Sequence, residues 1–246
     1  MTSRRLLPFV FSATLLVPLL ILPGCASIDM AAIDTILSAE APLDEGTVAS
    51  GLKEALSVGT GRAVETLSSD GGFGANDLLR IPIPENLETM TNRLRAVGLN
   101  DQVDQFEDQM NTAAEQAAGL ALDVFAGAIR EMTIQDAFGI LNGPENAATL
   151  YFRDRTEEAL TTRFGPVVDD VMQQLGVVRV YEDLVTRYNA IPLVRPVQFD
   201  LETYVVGQTL NGMFSTLASE EQRIREDPLA RTTQLLQRVF GRRSGS

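Results

Sequence analysis

Histidine does not occur in the 246 residues, and lysine and cysteine occur once each, as Lys53 and Cys25. Without an imidazole there is no Ser-His-Asp relay and no histidine-ligated metal site. One cysteine cannot form a disulfide within the chain, and it leaves no thiolate cluster for zinc. The fold must therefore hold by packing alone. Positive charge is also scarce: 20 basic side chains stand against 33 acidic ones, a formal net charge of −13. Such a chain is repelled by nucleic-acid phosphates and by anionic lipid surfaces, which argues against nucleic-acid binding. The catalytic options that remain are a carboxylate pair, a carboxylate-only Mg²⁺ or Ca²⁺ site, and a Ser/Lys pair confined to Lys53. No cofactor is implied.

What is present begins with an export signal. Arg4 and Arg5 precede an apolar run from Leu6 to Leu22, and Leu22-Pro23-Gly24-Cys25 follows. A basic start, an apolar segment and small residues at a cut site make a secretory leader. The last four residues resemble a lipoprotein box, which implies a diacylglyceryl group on Cys25 and cleavage before it. The other reading is an uncleaved anchor. It is disfavoured because a spanning helix needs about 20 apolar residues, and Pro8 and Pro18 interrupt this shorter run. Ala26 stands where many lipoproteins retained at the inner membrane carry aspartate, so the expected address is the periplasmic leaflet of the outer membrane. The expected organisation is a signal peptide over 1–24, a lipidated tether over 25–46, one helical domain over 47–241 and a disordered tail over 242–246.

Helical spacing dominates the rest of the chain. The pattern predicts a helix over 47–68 with a row of small residues, Gly51, Ala55, Gly59 and Ala63, suited to close approach of another backbone. Asp70-Gly71-Gly72-Phe73-Gly74 reads as a flexible loop, and Ile81-Pro82-Ile83-Pro84 as extended, because residues before proline avoid the α region. A helix over 85–97 ends at Gly98. The longest periodic segment, 101–132, is expected to be the central helix, packed on the small-residue row. Thr133 and Asp136 form a capping-box pattern. A helix from Pro144 should break or kink at Phe164-Gly165-Pro166 and close at Gly176. Val177 to Tyr188 is read as a helix despite its β-branched start, 191–199 as loop, and 201–227 as a long helix capped by Asp200. A last helix follows Asp227-Pro228 and ends at Gly241. No strand alternation and no repeat appear. The fold class is all-α, a single helical bundle.

Several stretches together carry a resemblance to a known family. They are Gly51-Leu52-Lys53-Glu54-Ala55-Leu56, Ile81-Pro82-Ile83-Pro84, Asn111-Thr112-Ala113-Ala114-Glu115, and the run from Ala128 to Ala137. Ala147 to Phe152, Leu201 to Val205, and Glu220 to Pro228 complete the set. In this order they resemble the bacterial envelope lipoprotein family catalogued as domain of unknown function 4197. The resemblance implies an exported helical protein and assigns no catalytic role to any residue.

The polar residues inside those stretches are the candidate site: Asn111, Glu115, Arg130, Asp136, Asn146, Thr149, Tyr151, Glu220, Glu221 and Arg223. Asn111 and Glu115 share one helix face. A buried carboxylate needs a partner or it becomes neutral, and the expected partner of Glu115 is an arginine such as Arg130 or Arg223. The alternative is a cleft where Glu115, Asp136 and Glu220 converge on a divalent ion or act as acid and base. A third expectation is an apolar pocket between helices for an acyl chain or another small ligand. The functional reading is a lipid-anchored, periplasm-facing, non-catalytic module that binds an envelope protein or apolar ligand. The alternative is a carboxylate-dependent hydrolase or metal-binding protein.

Overall fold

The computed structural model describes residues 44–226. Expectations about the leader, Cys25, the tether up to residue 43, the helix after Pro228 and the tail over 242–246 lie outside the described residues. Within them the chain forms eight helices and no strand: α1 (Glu45–Ser68), α2 (Glu85–Ala96), α3 (Asn100–Ala118), α4 (Ala121–Glu131), α5 (Ile134–Asn142), α6 (Ala147–Leu175), α7 (Val177–Asn189) and α8 (Leu201–Glu226). The fold is all-α. Among the described residues no helix is long and apolar enough to cross a membrane.

Local side-chain chemistry sets the boundaries. Asp44 accepts the Thr47 N–H at 3.0 Å to start α1, and Asp200 does the same for Thr203 at the head of α8. Thr133 and Asp136 bond each other's backbone N–H groups, a complete capping box on α5. Gly176 ends α6 with φ +77°, a left-handed conformation that glycine adopts without steric cost.

Helix α6 packs against α3, α4 and α8, and α1 packs against α4, α5 and α8. Phe73, Phe106, Phe125, Phe152, Phe164 and Phe214 are fully buried between them. Each contributes about 2–3 kcal/mol of apolar burial. Phe125 meets Phe152 edge-on at 5.3 Å and Phe214 at 6.4 Å, which ties α4, α6 and α8 at one point.

Four expectations need correction. The segment 101–132 is two helices, divided at Gly119-Leu120, and the longest helix is α6 with 29 residues. The chain turns there with ordinary αR dihedrals and a tight Leu120 N–H to Ala117 carbonyl bond, so apolar spacing continues across the bend. The small-residue row meets α8 at Gly59, where an added Cβ would lie 3.4 Å from Ile224 Cδ1. Helix α6 runs unbroken through Pro166. Pro166 and Thr162, whose carbonyl loses its donor, both face solvent, so water satisfies that group. The turn after α1 is ordered: Phe73 is wholly buried, its ring filling a notch at Gly212 of α8, where an added Cβ would stand 2.6 Å from Phe73 Cε1.

Candidate functional site

The polar candidates fall into three separate places. The first is the α3 face that carries Asn111 and Glu115, both buried. Glu115 Oε1 accepts the backbone N–H groups of Phe73 and Gly74, each at 3.0 Å. Asn111 Oδ1 accepts the Ile81 N–H at 2.8 Å, and its Nδ2 donates to the Ile81 and Glu107 carbonyls. Residues 70–84 form no helix, so their buried backbone groups need partners from elsewhere. Asn111 and Glu115 supply them. The expected arginine partner of Glu115 is therefore corrected to two main-chain amides. Arg80, which sequence reasoning passed over, completes the clamp by donating to Glu107 at 2.8 Å, Asp108 at 2.9 Å and the Gly74 carbonyl at 2.7 Å. The Glu107 bond holds the Arg80 pKa above its ordinary value against the opposing effect of burial.

The second place is the junction of α6 and α8. Asn146 sits at the N-cap of α6, but its side chain caps nothing. Glu221 takes that role from α8: Oε1 accepts the Ala148 N–H, and Oε2 accepts the Thr149 N–H and hydroxyl, all at 2.9 Å. A carboxylate at a helix N-terminus also opposes the positive end of the helix dipole. Arg225 donates to Glu221 Oε1 and to the Ile140 carbonyl, so α5 joins the same network. Glu220 lies between Arg223, at 3.0 Å, and Arg62, at 3.9 Å. The apolar space beside this junction is about 20 Å³, room for about one water and far below an acyl ligand.

Glu115, Asp136 and Glu220 do not converge. Among the described residues no group of three acidic, cysteine or histidine side chains is placed to hold a metal. Asp136 is half-buried on the first turn of α5. Its pKa is lowered by the Thr133 N–H and then by the Thr133 hydroxyl.

The third place is an open groove of about 560 Å³ between α4 and α6, where Arg130 and Tyr151 do come together. Tyr151, Arg155, Ala159 and Arg163 follow at four-residue steps and line one wall, and Gly127, Ala128 and Arg130 line the other. The small side chains of Gly127, Ala128 and Ala159 leave the space between the walls. Arg155 lies 5.7 Å from the Tyr151 ring centroid and 3.8 Å from Asp154. Arg130 and Arg163 form no ion pair among the described residues. Lys53 reaches the rim from α1, donating to the Arg130 carbonyl at 3.3 Å. Burial first, then the Asp136 charge, raise the Tyr151 pKa, so its hydroxyl stays protonated at neutral pH. Sequence reasoning missed Arg155 and Arg163, whose signal was their shared row with Tyr151.

No curated protein and no solved structure matches the chain. A family model described as "Protein of unknown function (DUF4197)" matches residues 42–241, a span that includes all three of these places. The chain therefore belongs to the DUF4197 family.

Proposed function

We propose that this protein is a lipid-anchored, periplasm-facing module of the cell envelope that binds a ligand or partner in the α4–α6 groove and performs no chemistry on it. One observation carries the reading. The buried carboxylates Glu115 and Glu221 hold backbone amides, whereas the groove offers unpaired guanidiniums and a protonated phenol in an open concave space. Groups that bind are exposed there, and the hydroxyl–carboxylate pair in the lining, Thr133 with Asp136, is engaged in capping α5. The leader and Cys25 supply the anchor. A diacylglyceryl group with a further acyl chain holds a protein to a membrane where one chain alone would not.

In-cell photocrosslinking tests the reading. A photoreactive residue at Val124 or Ala159 in the groove should give a discrete adduct on the membrane-extracted protein, and one at Glu88 on α2 should not. Mass spectrometry of the same product should place a lipidated Cys25 at its N-terminus. Adducts absent from the groove positions, or equal at Glu88, would refute the groove; an intact leader would refute the anchor.

A further inference from the structure

We infer that the cleft between α2 and the segment 191–199 docks an acidic, extended polypeptide segment of a partner protein. No lining residue of this cleft belongs to α4 or α6, so the inference goes beyond the α4–α6 groove and does not depend on it.

Backbone strain is the first argument. The chain turns after α7 through Ile191-Pro192-Leu193-Val194, and Leu193 takes φ +66°. Following a proline, this is the turn position that glycine or asparagine usually fills, because a Cβ is crowded at positive φ. Among the described residues no other residue but glycine has a positive φ. The Leu193 side chain is fully exposed, so no buried contact offsets the strain. A strained position that gives the fold nothing in return points to a role in binding. Val97, one turn beyond Arg93 in the α2 wall, is also 66 % exposed and extends the apolar rim.

Charge is the second argument. The cleft encloses about 470 Å³, and its lining holds Arg93 of α2 and Arg195 of the segment but no acid. Neither arginine makes an ion pair among the described residues. The neighbouring acids Glu85, Glu88 and Asp200 lie outside the lining. Glu88 stands on the opposite side of α2 from the row Asn86, Thr89, Met90 and Arg93 that faces the cleft, and Asp200 is held by Thr203. On a chain of net charge −13, an acid-free concavity with two unpaired cations is complementary to an acidic partner. The two guanidiniums need not meet at one point, because an extended chain presents its side chains at intervals along its length.

The backbone decides between a polypeptide and a lipid surface. Residues 194–199 form neither helix nor strand, and among the described residues the N–H groups of Arg195, Val197 and Gln198 find no acceptor. Hydrocarbon laid over them would leave them unpaired. An extended peptide laid alongside brings carbonyls to them, and its acidic side chains reach the arginines.

Fluorescence anisotropy tests the inference, with the full-length chain in neutral detergent titrated into short labelled peptides that alternate glutamate with valine. Saturable binding is expected, weakened about tenfold by Arg93→Gln or Arg195→Gln and unchanged by Arg155→Gln in the other groove. Peptides with lysine in place of glutamate should not bind, and N-methylation of alternate peptide amides should weaken binding. Leu193→Gly separates docking from folding: it should melt higher than the parent, because the strain is relieved, and bind about tenfold more weakly. Absence of saturable binding, equal binding of the lysine peptides, indifference to both arginine substitutions, or full affinity in Leu193→Gly would overturn the inference. Binding of phosphatidylglycerol vesicles in place of the peptides would also overturn it, by giving the surface to a membrane.

Discussion

Glu221 and Thr149, 72 residues apart in the chain, are joined by two hydrogen bonds, with the Thr149 N–H and hydroxyl both donating to Glu221 Oε2 at 2.9 Å. The C-terminal described helix thereby caps the longest one from the side. A local N-cap needs only its own helix; this one exists only when α6 and α8 have docked.

Glu221→Ala should be among the most destabilising single changes in the protein. It strips the α6 terminus of its acceptor and removes the buried carboxylate from its 2.8 Å ion pair with Arg225. Breaking one side of a buried pair costs about 3–5 kcal/mol. Glu221→Gln keeps an acceptor oxygen and should lose clearly less. Urea midpoints for the two variants, at unchanged slope, check the order.

Glu115→Ala and Asn111→Ala should each weaken the fold by roughly 1–3 kcal/mol, the cost of leaving buried main-chain groups unbonded. Their effects should fall short of additive in the double variant, because both tie the same 70–84 segment to α3. Amide hydrogen exchange provides a sharper readout. Phe73 and Gly74 should lose protection in Glu115→Ala, and Ile81 in Asn111→Ala, whereas α7 stays protected.

Gly72→Ala should abolish the turn after α1. An added Cβ would lie 2.5 Å from the carbonyl oxygens of both Thr66 and Leu67, main-chain atoms that cannot swing aside. Gly61→Ala, with nothing within 4 Å of the added atom, should by contrast raise helix stability by several tenths of a kcal/mol or more. Thermal melts of the pair should move in opposite directions.

Acid should loosen three helix starts together. Hydrogen bonds from Thr47, Thr133 and Thr203 hold the carboxyl pKa values of Asp44, Asp136 and Asp200 below the ordinary value. A depressed folded pKa contributes stability that is present above the unfolded value of about 3.9 and is lost as pH falls through the folded one. Asp136→Asn should therefore melt lower than the parent at about pH 6, and the two should converge once the pH falls below the lowered folded pKa. A gap that persists in strong acid would contradict the assignment.

Much of the helix map was legible because the rules that set helix ends are local. Thr133 with Asp136, Gly176 and Asp200 announce their roles to their immediate neighbours, and each stands where that rule places it. The bend at Gly119-Leu120 was hidden because it uses helical dihedrals and leaves the apolar spacing intact. Partners were harder. Nothing near Glu115 indicates that its acceptor oxygen will meet amides some 40 positions earlier, and Glu221 carries no sign that it will replace the idle Asn146. The groove lay between these extremes. Arg130 and Tyr151 stood out as polar residues in family-like stretches, but pairing them required knowing that α4 turns its small residues toward the Arg155 row.

The seating of Phe73 against Gly212 has a bearing on how the molecule is made. During synthesis the aromatic ring emerges long before the notch that receives it, and until then its apolar surface has no home. Assembly cannot finish piecemeal from the front; it must wait for α8 to leave the ribosome, and a chain cut short before that helix would remain open at its centre.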